Sequence, residues 1–439
     1  MEFKINDVST SEKQVEVTLT YDEIKNDIEN EVKKQSKKVQ LPGFRKGKVP
    51  IPMIKKMYGD AMEYEASEKV ANDRFWDVAK DKELKPIGQP TMTDLKFNPG
   101  EDLSFKVKYE VLPELEVKDY KGQDLEIPDL QVKDNDVEHE ILHVQKSNST
   151  TEDADAVGND NNYILHVDII RIDDDGNPYK DAKPEHMDID LSEERINKEI
   201  IDNSRGKKTG EEFIFSFTNE KKLKNEEGKE ETVNEKFNYK AKIESIKKII
   251  LPDLTEEFIK KVTKDKVSTE AEFREDIKKD IQNYFDQQTE EGTRAKLIET
   301  IVDNNEFTPP NSLVNNLLND FVEREENYYK KQGYKKVDKD SIRERFKKTA
   351  EFEVKWYLLR NEIVKKENID IPDEELKELA KQDAEKSGLT EDKLFSYYKS
   401  SNYKEKLIDK KLFDFLKMNN NIKKVDKEIL EKKKEKENK

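Results

Sequence analysis

Three clusters of residues in this 439-residue chain have types and spacings that could do chemistry. His139-Glu140-Ile141-Leu142-His143 has the form HExxH, which on a helix sets two imidazoles on one face to share a zinc ion, with a carboxylate beside them as general base. Catalytic zinc also wants a third protein ligand and a dry pocket. This run sits in a short charged helical stretch between polar segments, so the expectation is an exposed helix face. Asp173-Asp174-Asp175-Gly176-Asn177 resembles a calcium loop, but with Gly176 at the sixth position Arg171 falls on the first and Ala182 on the twelfth, where a carboxylate and a bidentate glutamate are required. A hairpin turn on Asp-Gly is expected there.

The third cluster is basic. Between Glu31 and Tyr58 stand Lys33, Lys34, Lys37, Lys38, Arg45, Lys46, Lys48, Lys55 and Lys56 against the one acid Glu31, a local charge of +8 inside a chain of −17. A loop tip that presents Phe44 between such flanks can neutralise phosphates, release counterions and offer a ring to a partner. A solvated basic helix face is the alternative from charge alone. The chain has no cysteine, which excludes disulfides, thiolate metal sites and cysteine nucleophiles. His166 and His186 stand alone, and there is no Gly-rich phosphate loop or serine elbow. No catalytic residue, metal or cofactor is therefore expected.

The elements that must carry these residues follow from periodicity. Charged residues make up 41% and hydrophobic ones 33%, so the apolar share suits small or slender cores and long solvated helices rather than one large core. The N-terminal residues carry charge where a signal peptide needs an apolar stretch, and no window suits a membrane span. Residues 1 to about 20, with alternation at Val15, Val17 and Leu19 and a turn at Ser11-Glu12-Lys13, read as a short antiparallel pair, and Thr20-Tyr21-Asp22-Glu23 as a capping box opening a helix over about 21–40. Pro42, Gly43, Gly47 and Pro50 break it, a second helix covers about 50–82, and Leu103, Phe105, Val107, Tyr109 and Val111 alternate as a strand. Residues 1–112 thus form an α+β unit whose most exposed feature is a helix-loop-helix. Residues 113–149 read as connector. Alternation returns in 150–248, at Leu165, Val167 and Ile169, at Phe213, Phe215 and Phe217, and at Phe237, Tyr239, Ala241 and Ile243, giving a small antiparallel β domain. From 249 to 432 the pattern is helical, with runs near 270–304, 311–332, 341–366, 373–386 and 391–417, and 433–439 is a solvated tail. The fold class is α+β and multi-domain, ending in an extended all-helical region.

Gly43-Phe44-Arg45-Lys46-Gly47-Lys48-Val49-Pro50 closely resembles the signature loop of trigger factor, the bacterial ribosome-associated chaperone family. Leu251-Pro252-Asp253-Leu254-Thr255-Glu256-Glu257-Phe258 is similar to the family's phrase leaving its middle domain, and Phe307-Thr308-Pro309-Pro310-Asn311-Ser312-Leu313-Val314 to its C-terminal proline joint. The three phrases stand in the family's order. The resemblance implies a loop that docks beside the ribosomal exit tunnel on a rim protein and ribosomal RNA, with Phe44, Arg45 and Lys46 as docking residues and Gly43, Gly47 and Pro50 shaping the turn. It implies a cytoplasmic protein, a middle domain similar to FK506-binding prolyl isomerases and helical arms for nascent or unfolded polypeptides. A weak homodimer is a further partner to consider, and a membrane is not.

One departure bears on chemistry. The family's Ile-Pro-Gly-Phe-Glu-like phrase lines its isomerase pocket; the equivalent here is Asp190 to Ile201, with Lys198-Glu199-Ile200 in place of Pro-Gly-Phe. Isomerisation needs an apolar pocket to desolvate a twisted amide, whose barrier is about 18–20 kcal/mol. Charges at its lip would oppose that, so weak or absent isomerase activity is expected. The leading expectation is a ribosome-docked chaperone that keeps emerging chains open for folding or export. The alternatives are an active prolyl isomerase and a holdase that never docks.

Overall fold

The computed structural model describes residues 1–39, 42, 44, 49–180, 182–193, 195–224, 230–334, 336–427, 429–430 and 432. The chain divides into two compact units, one of Met1–Asp129 with Glu290–Lys439, the other of Leu130–Thr289.

In the first unit, β1 (Glu2–Asp7), β2 (Glu12–Leu19), β3 (Ile87–Lys96) and β4 (Leu103–Glu110) form an antiparallel sheet in the order β1-β2-β4-β3. Val15 pairs with Val107 and Val17 with Phe105, so two alternating sets meet on one face. Helices α1 (Tyr21–Ser36) and α2 (Ile51–Asp81) cover that face. Ile24, Ile28 and Val32 of α1 and Met62, Val70, Phe75 and Val78 of α2 are buried with the strand residues in one core. The strands and helices expected over 1–112 are present, and β3 joins them.

Residues 113–149 depart from a bare connector. Val117, Tyr120 and Leu125 are buried in the core of the helical part, and β5 (Asp124–Pro128) pairs in parallel with a strand near the C-terminus, β11 (Asn421–Val425). Two asparagines hold this segment. Asn305 accepts from Lys118 N at 2.8 Å and donates to Lys118 O at 2.9 Å. Asn420 accepts from Gln123 N at 2.9 Å and donates to Tyr120 O at 3.0 Å. The physical reason for the departure is distance along the chain: Asn305, Asn420 and β11, which hold this segment, lie far downstream.

In the second unit, helix α3 (Asp134–Ser147) precedes β6 (Thr150–Asp153), β7 (Tyr163–Ile172), β8 (Glu185–Asp190), the short α4 (Lys198–Ser204), β9 (Glu212–Lys224) and the 21-residue β10 (Glu230–Ile250). The order is β6-β10-β7-β8, with β9 also on β10, all antiparallel. β8 is an edge, and α4 packs on β9 through Ile200, Phe213 and Phe215. A separate core joins Val137 and Ile141 of α3 to Phe258 and Ile259 of α5 (Glu256–Thr263) and Phe273 and Ile277 of α6 (Glu270–Asp303). Helix α6 enters the first unit at Glu290.

The helical part of the first unit continues with α7 (Asn311–Lys331), α8 (Lys339–Lys366), α9 (Asp373–Ser387), α10 (Glu391–Tyr398) and α11 (Ser401–Met418). The run expected over 391–417 is broken at Lys399-Ser400, and β11 follows where helix was expected. Leu297, Phe321, Val354, Leu359 and Leu412 share one core; Leu376, Ala380, Leu394 and Ile408 share another. The N-terminal sheet is tied to this part by Glu110, whose carboxylate accepts from Asn311 N and Ser312 N at 3.0 and 2.8 Å, and by Ser11 Oγ donating to Thr308 O at 2.9 Å.

Candidate functional site

The helix-loop-helix tip is built by pinning both of its ends. Glu23 accepts from Thr20 N at 2.9 Å, closing the capping box that starts α1. The helix runs to Ser36, whose hydroxyl donates to Lys33 O at 2.9 Å, and Val39 packs beyond it on the core. On the far side Val49 is buried, and Pro50 is the N-cap of α2, its carbonyl accepting from Met53 N at 3.0 Å and Ile54 N at 3.2 Å. Pro52 stands in the first turn, where proline is suited because the first N–H groups of a helix lack intrahelical partners. Between these anchors Phe44 remains 37% exposed. Lys33, Lys34, Lys37, Lys38 and Lys56 are exposed on the flanks, Lys34 pairing with Glu31 at 3.0 Å. Of the residues singled out for docking, Phe44 and Pro50 are placed in this way; Gly43, Arg45, Lys46 and Gly47 lie outside the described residues, as does the tail 433–439.

The second unit holds a cavity of about 600 Å³ between β8, α4, β9 and β10. Phe215 and Tyr239 stack there with centroids 5.6 Å apart and 17° between planes, and Phe217 stands edge-on to both. Met187, Ile196 and Ile200 add apolar wall, and four carboxylates, Glu185, Asp188, Asp190 and Glu193, also line it. Of the stretch expected to charge the lip, Asp190 and Glu193 line the cavity, whereas Lys198 and Glu199 do not. Glu199 faces β9, its carboxylate accepting from Ser216 N and Oγ at 2.8 Å each, and those two bonds hold it below its ordinary pKa. Ile200, not Lys198 or Glu199, lines the cavity, so the substitution of Pro-Gly-Phe does not charge the pocket in the way its sequence suggested.

The other motifs do not assemble chemistry. His143 and Glu140 sit exposed, 3.8 Å apart, on α3, and no group of three His, Cys, Asp or Glu able to hold a metal occurs among the described residues. Asp173 caps a turn, accepting from Asp175 N at 3.0 Å and Asn177 N at 2.8 Å, with Gly176 at φ +84°. His166 pairs with Asp188 and His186 with Asp168 across β7 and β8. No described helix is long and apolar enough to cross a membrane. Sequence reasoning took Tyr239 only as a strand position and passed over Met187 in the cavity and the exposed Met53, Met57 and Tyr64 of α2; the spacing of four between the two methionines was the available signal there.

Residues 1–144 match the family profile described as bacterial trigger factor protein, and 269–418 match that of its C-terminus. The trigger factor of Chloroherpeton thalassium is 30% identical over 405 residues, which span 91% of each chain. The chain belongs to the trigger factor family. Another trigger factor, from Prosthecochloris aestuarii, is 27% identical over 408 residues and 92% of each chain. A solved structure, "Promiscuous Substrate Recognition in Folding and Assembly Activities of the Trigger Factor Chaperone", is similar at 21% identity with a TM-score of 0.48, covering 95% of this chain and 99% of that one. As a trigger factor the chain is a chaperone, and the mixed, multi-domain α and β fold expected of it is the one observed.

Proposed function

We infer that this trigger factor is a cytoplasmic chaperone that docks on the ribosome beside the tunnel exit and receives nascent polypeptides there. The observation that carries the reading is the tip: a helix-loop-helix pinned at Val39 and Val49 that leaves Phe44 exposed among exposed lysines, within a chain of net charge −17. An aromatic ring is a costly group to leave in water, and it is worth leaving where a partner covers it. The local positive charge suits ribosomal RNA, while the acidic remainder disfavours general adhesion to it. On this reading Phe44, Arg45 and Lys46 make the contact, and Gly43, Gly47 and Pro50 shape the turn. Residues 1–112 form the docking domain, 150–248 an FK506-binding-like domain and 249–432 the helical chaperone domain. Replacing Phe44-Arg45-Lys46 by alanines is expected to abolish co-sedimentation with ribosomes while leaving the circular dichroism spectrum unchanged. Co-sedimentation equal to wild type would refute the docking role and favour a holdase that never docks.

The cavity of the second unit favours a second activity. Its stacked Phe215 and Tyr239 and buried Ile200 offer the apolar surroundings that desolvate a twisted prolyl amide. Turnover of a proline peptide by the full chain, lost in Phe215→Ala, would support peptidyl-prolyl isomerase activity; no turnover would exclude it.

A further inference from the structure

The turn between α7 and α8 gathers aromatic rings and cations that the fold does not consume. From Glu323 to Lys348 stand ten Lys or Arg against six Asp or Glu, a local charge of +4 in a chain of −17. No acid falls between Asn327 and Val337, a stretch that holds three tyrosines and four lysines. Helix α7 ends in a left-handed turn at Gly333, φ +89°, and Tyr334 N donates to Tyr329 O at 3.1 Å, which folds Tyr334 back beside the helix. Three rings then stand in sequence, Tyr328 and Tyr329 with centroids 5.7 Å apart at 71°, Tyr329 and Tyr334 at 5.6 Å and 82°. The central Tyr329 is half-buried, while the outer Tyr328 and Tyr334 are 58% and 61% exposed. Tyr329, Tyr334, Lys336 and Arg345 line a cleft of about 210 Å³. The nearby acids are largely occupied within the turn. Glu325 pairs with Arg345 at 2.7 Å, and Glu326 lies 3.0 Å from each of Lys330 and Lys339. Asp338, also in the cleft wall, caps α8 by accepting from Asp340 N at 3.1 Å and Ser341 N at 3.2 Å. Exposed Glu323, Asp340 and Glu344 are left against exposed Arg324, Lys331, Lys336, Lys347 and Lys348, and Lys331 and Lys336 make no ion pair among the described residues.

We propose that this turn binds single-stranded RNA, its bases stacking on Tyr334 and Tyr328 and its phosphates reaching Lys331 and Lys336. Exposed rings set among cations form a platform on which any base can stack, and phosphates supply the charge that the lysines lack. The rings decide against an acidic polypeptide as the partner. A chain of carboxylates would answer the lysines alone and leave both outer rings in water. The site is separate from Phe44 and does not depend on the ribosome-docking reading.

The test is fluorescence anisotropy of an end-labelled oligouridylate of about twelve nucleotides, titrated at several salt concentrations. The parent protein is the full chain carrying Phe44→Ala, Arg45→Ala and Lys46→Ala, so that the docking tip does not contribute. Saturable binding is expected. Tyr334→Ala is expected to weaken it about tenfold, the loss of one stacked base, without changing the slope of log Kd against log salt, and Tyr334→Phe to bind like the parent. Lys331→Ala combined with Lys336→Ala is expected to lower that slope by about 0.7 for each lysine. Tyr328→Ala repeats the ring test at the other outer position should Tyr334→Ala disturb the turn. An oligoglutamate of equal length, labelled in the same way, is expected to bind about tenfold more weakly than the RNA or weaker still. A parent protein that does not bind the RNA, or ring variants that bind it like the parent, would overturn the proposal. Oligoglutamate binding as tight as RNA binding would overturn it in favour of an acidic polypeptide. None of these outcomes touches the tip, whose test is co-sedimentation with ribosomes.

Discussion

Asn305 is 9% exposed and places three hydrogen bonds: it accepts from Lys118 N at 2.8 Å and donates to Lys118 O at 2.9 Å and Ile301 O at 2.8 Å. Asn305→Ala removes all three. The bond to the Ile301 carbonyl, in the last turn of α6, is made whether the segment is closed or open, so the loss in opening free energy falls on the two bonds to Lys118. At about 1 kcal/mol each, with little added penalty because Lys118 lies near solvent, the cost is about 2 kcal/mol. That free energy is spent on opening the segment around Val117 and Tyr120 from the helical core. Since 1.4 kcal/mol is a factor of ten, the Lys118 amide should exchange with deuterium roughly thirtyfold faster in the variant. Asn305→Asp separates the contributions. Its carboxylate can still accept from Lys118 N but cannot donate to either carbonyl, so at neutral pH it should be at least as damaging as alanine, recovering as acid protonates it. Hydrogen exchange followed by mass spectrometry on the peptides spanning 115–125 reads both effects. Exchange in Asn305→Ala within error of wild type would refute the assignment of Asn305 as the clamp on this segment.

Other outcomes follow from the same geometry. Glu110→Ala takes a carboxylate from the first N–H groups of α7 and should cost about 1 kcal/mol, read as faster exchange at Asn311 and Ser312, with Glu110→Gln recovering part of it. Lys121 and the Tyr120 hydroxyl hold the Glu367 carboxyl below its ordinary value; the stabilisation it contributes is full above about pH 4.3 and is lost as pH falls through the depressed value. Glu367→Gln should therefore remove part of the acid dependence of unfolding. At the alkaline end, burial and Glu367 push the Tyr120 phenol up to about 12. Its contribution is complete below about pH 10 and lost as pH rises through the folded value, so Tyr120→Phe should flatten the unfolding midpoint across that window.

The parts of the fold that were legible in the sequence are those whose signal is local. The capping box at Thr20 and Glu23 and the alternation from Leu103 to Tyr109 depend on neighbours a few residues away, and the structure realises both. Strand β3 escaped because Gly88 and Pro90 interrupt its alternation and its ladder with β4 is irregular between Ile87 and Thr91. The pairing of β5 with β11 and the clamps at Asn305 and Asn420 join residues far apart in sequence, where no periodicity reports them. The cavity shows a subtler limit. Lys198-Glu199-Ile200 reads as a charged lip, yet a short helix turns Ile200 inward and leaves Glu199 to Ser216, a distribution that depends on where β9 lies. The tip is marked by its charge contrast and its Pro-Gly punctuation, both composition-level signals that need no knowledge of packing.

The central claim is that position 44 meets the ribosome. A photo-reactive amino acid in place of Phe44, irradiated with purified ribosomes, should cross-link the full-length protein to a tunnel-rim protein or to ribosomal RNA, and excess wild-type protein should compete that product away. Absence of any ribosomal cross-link from position 44, under conditions where the protein co-sediments with ribosomes, would contradict it.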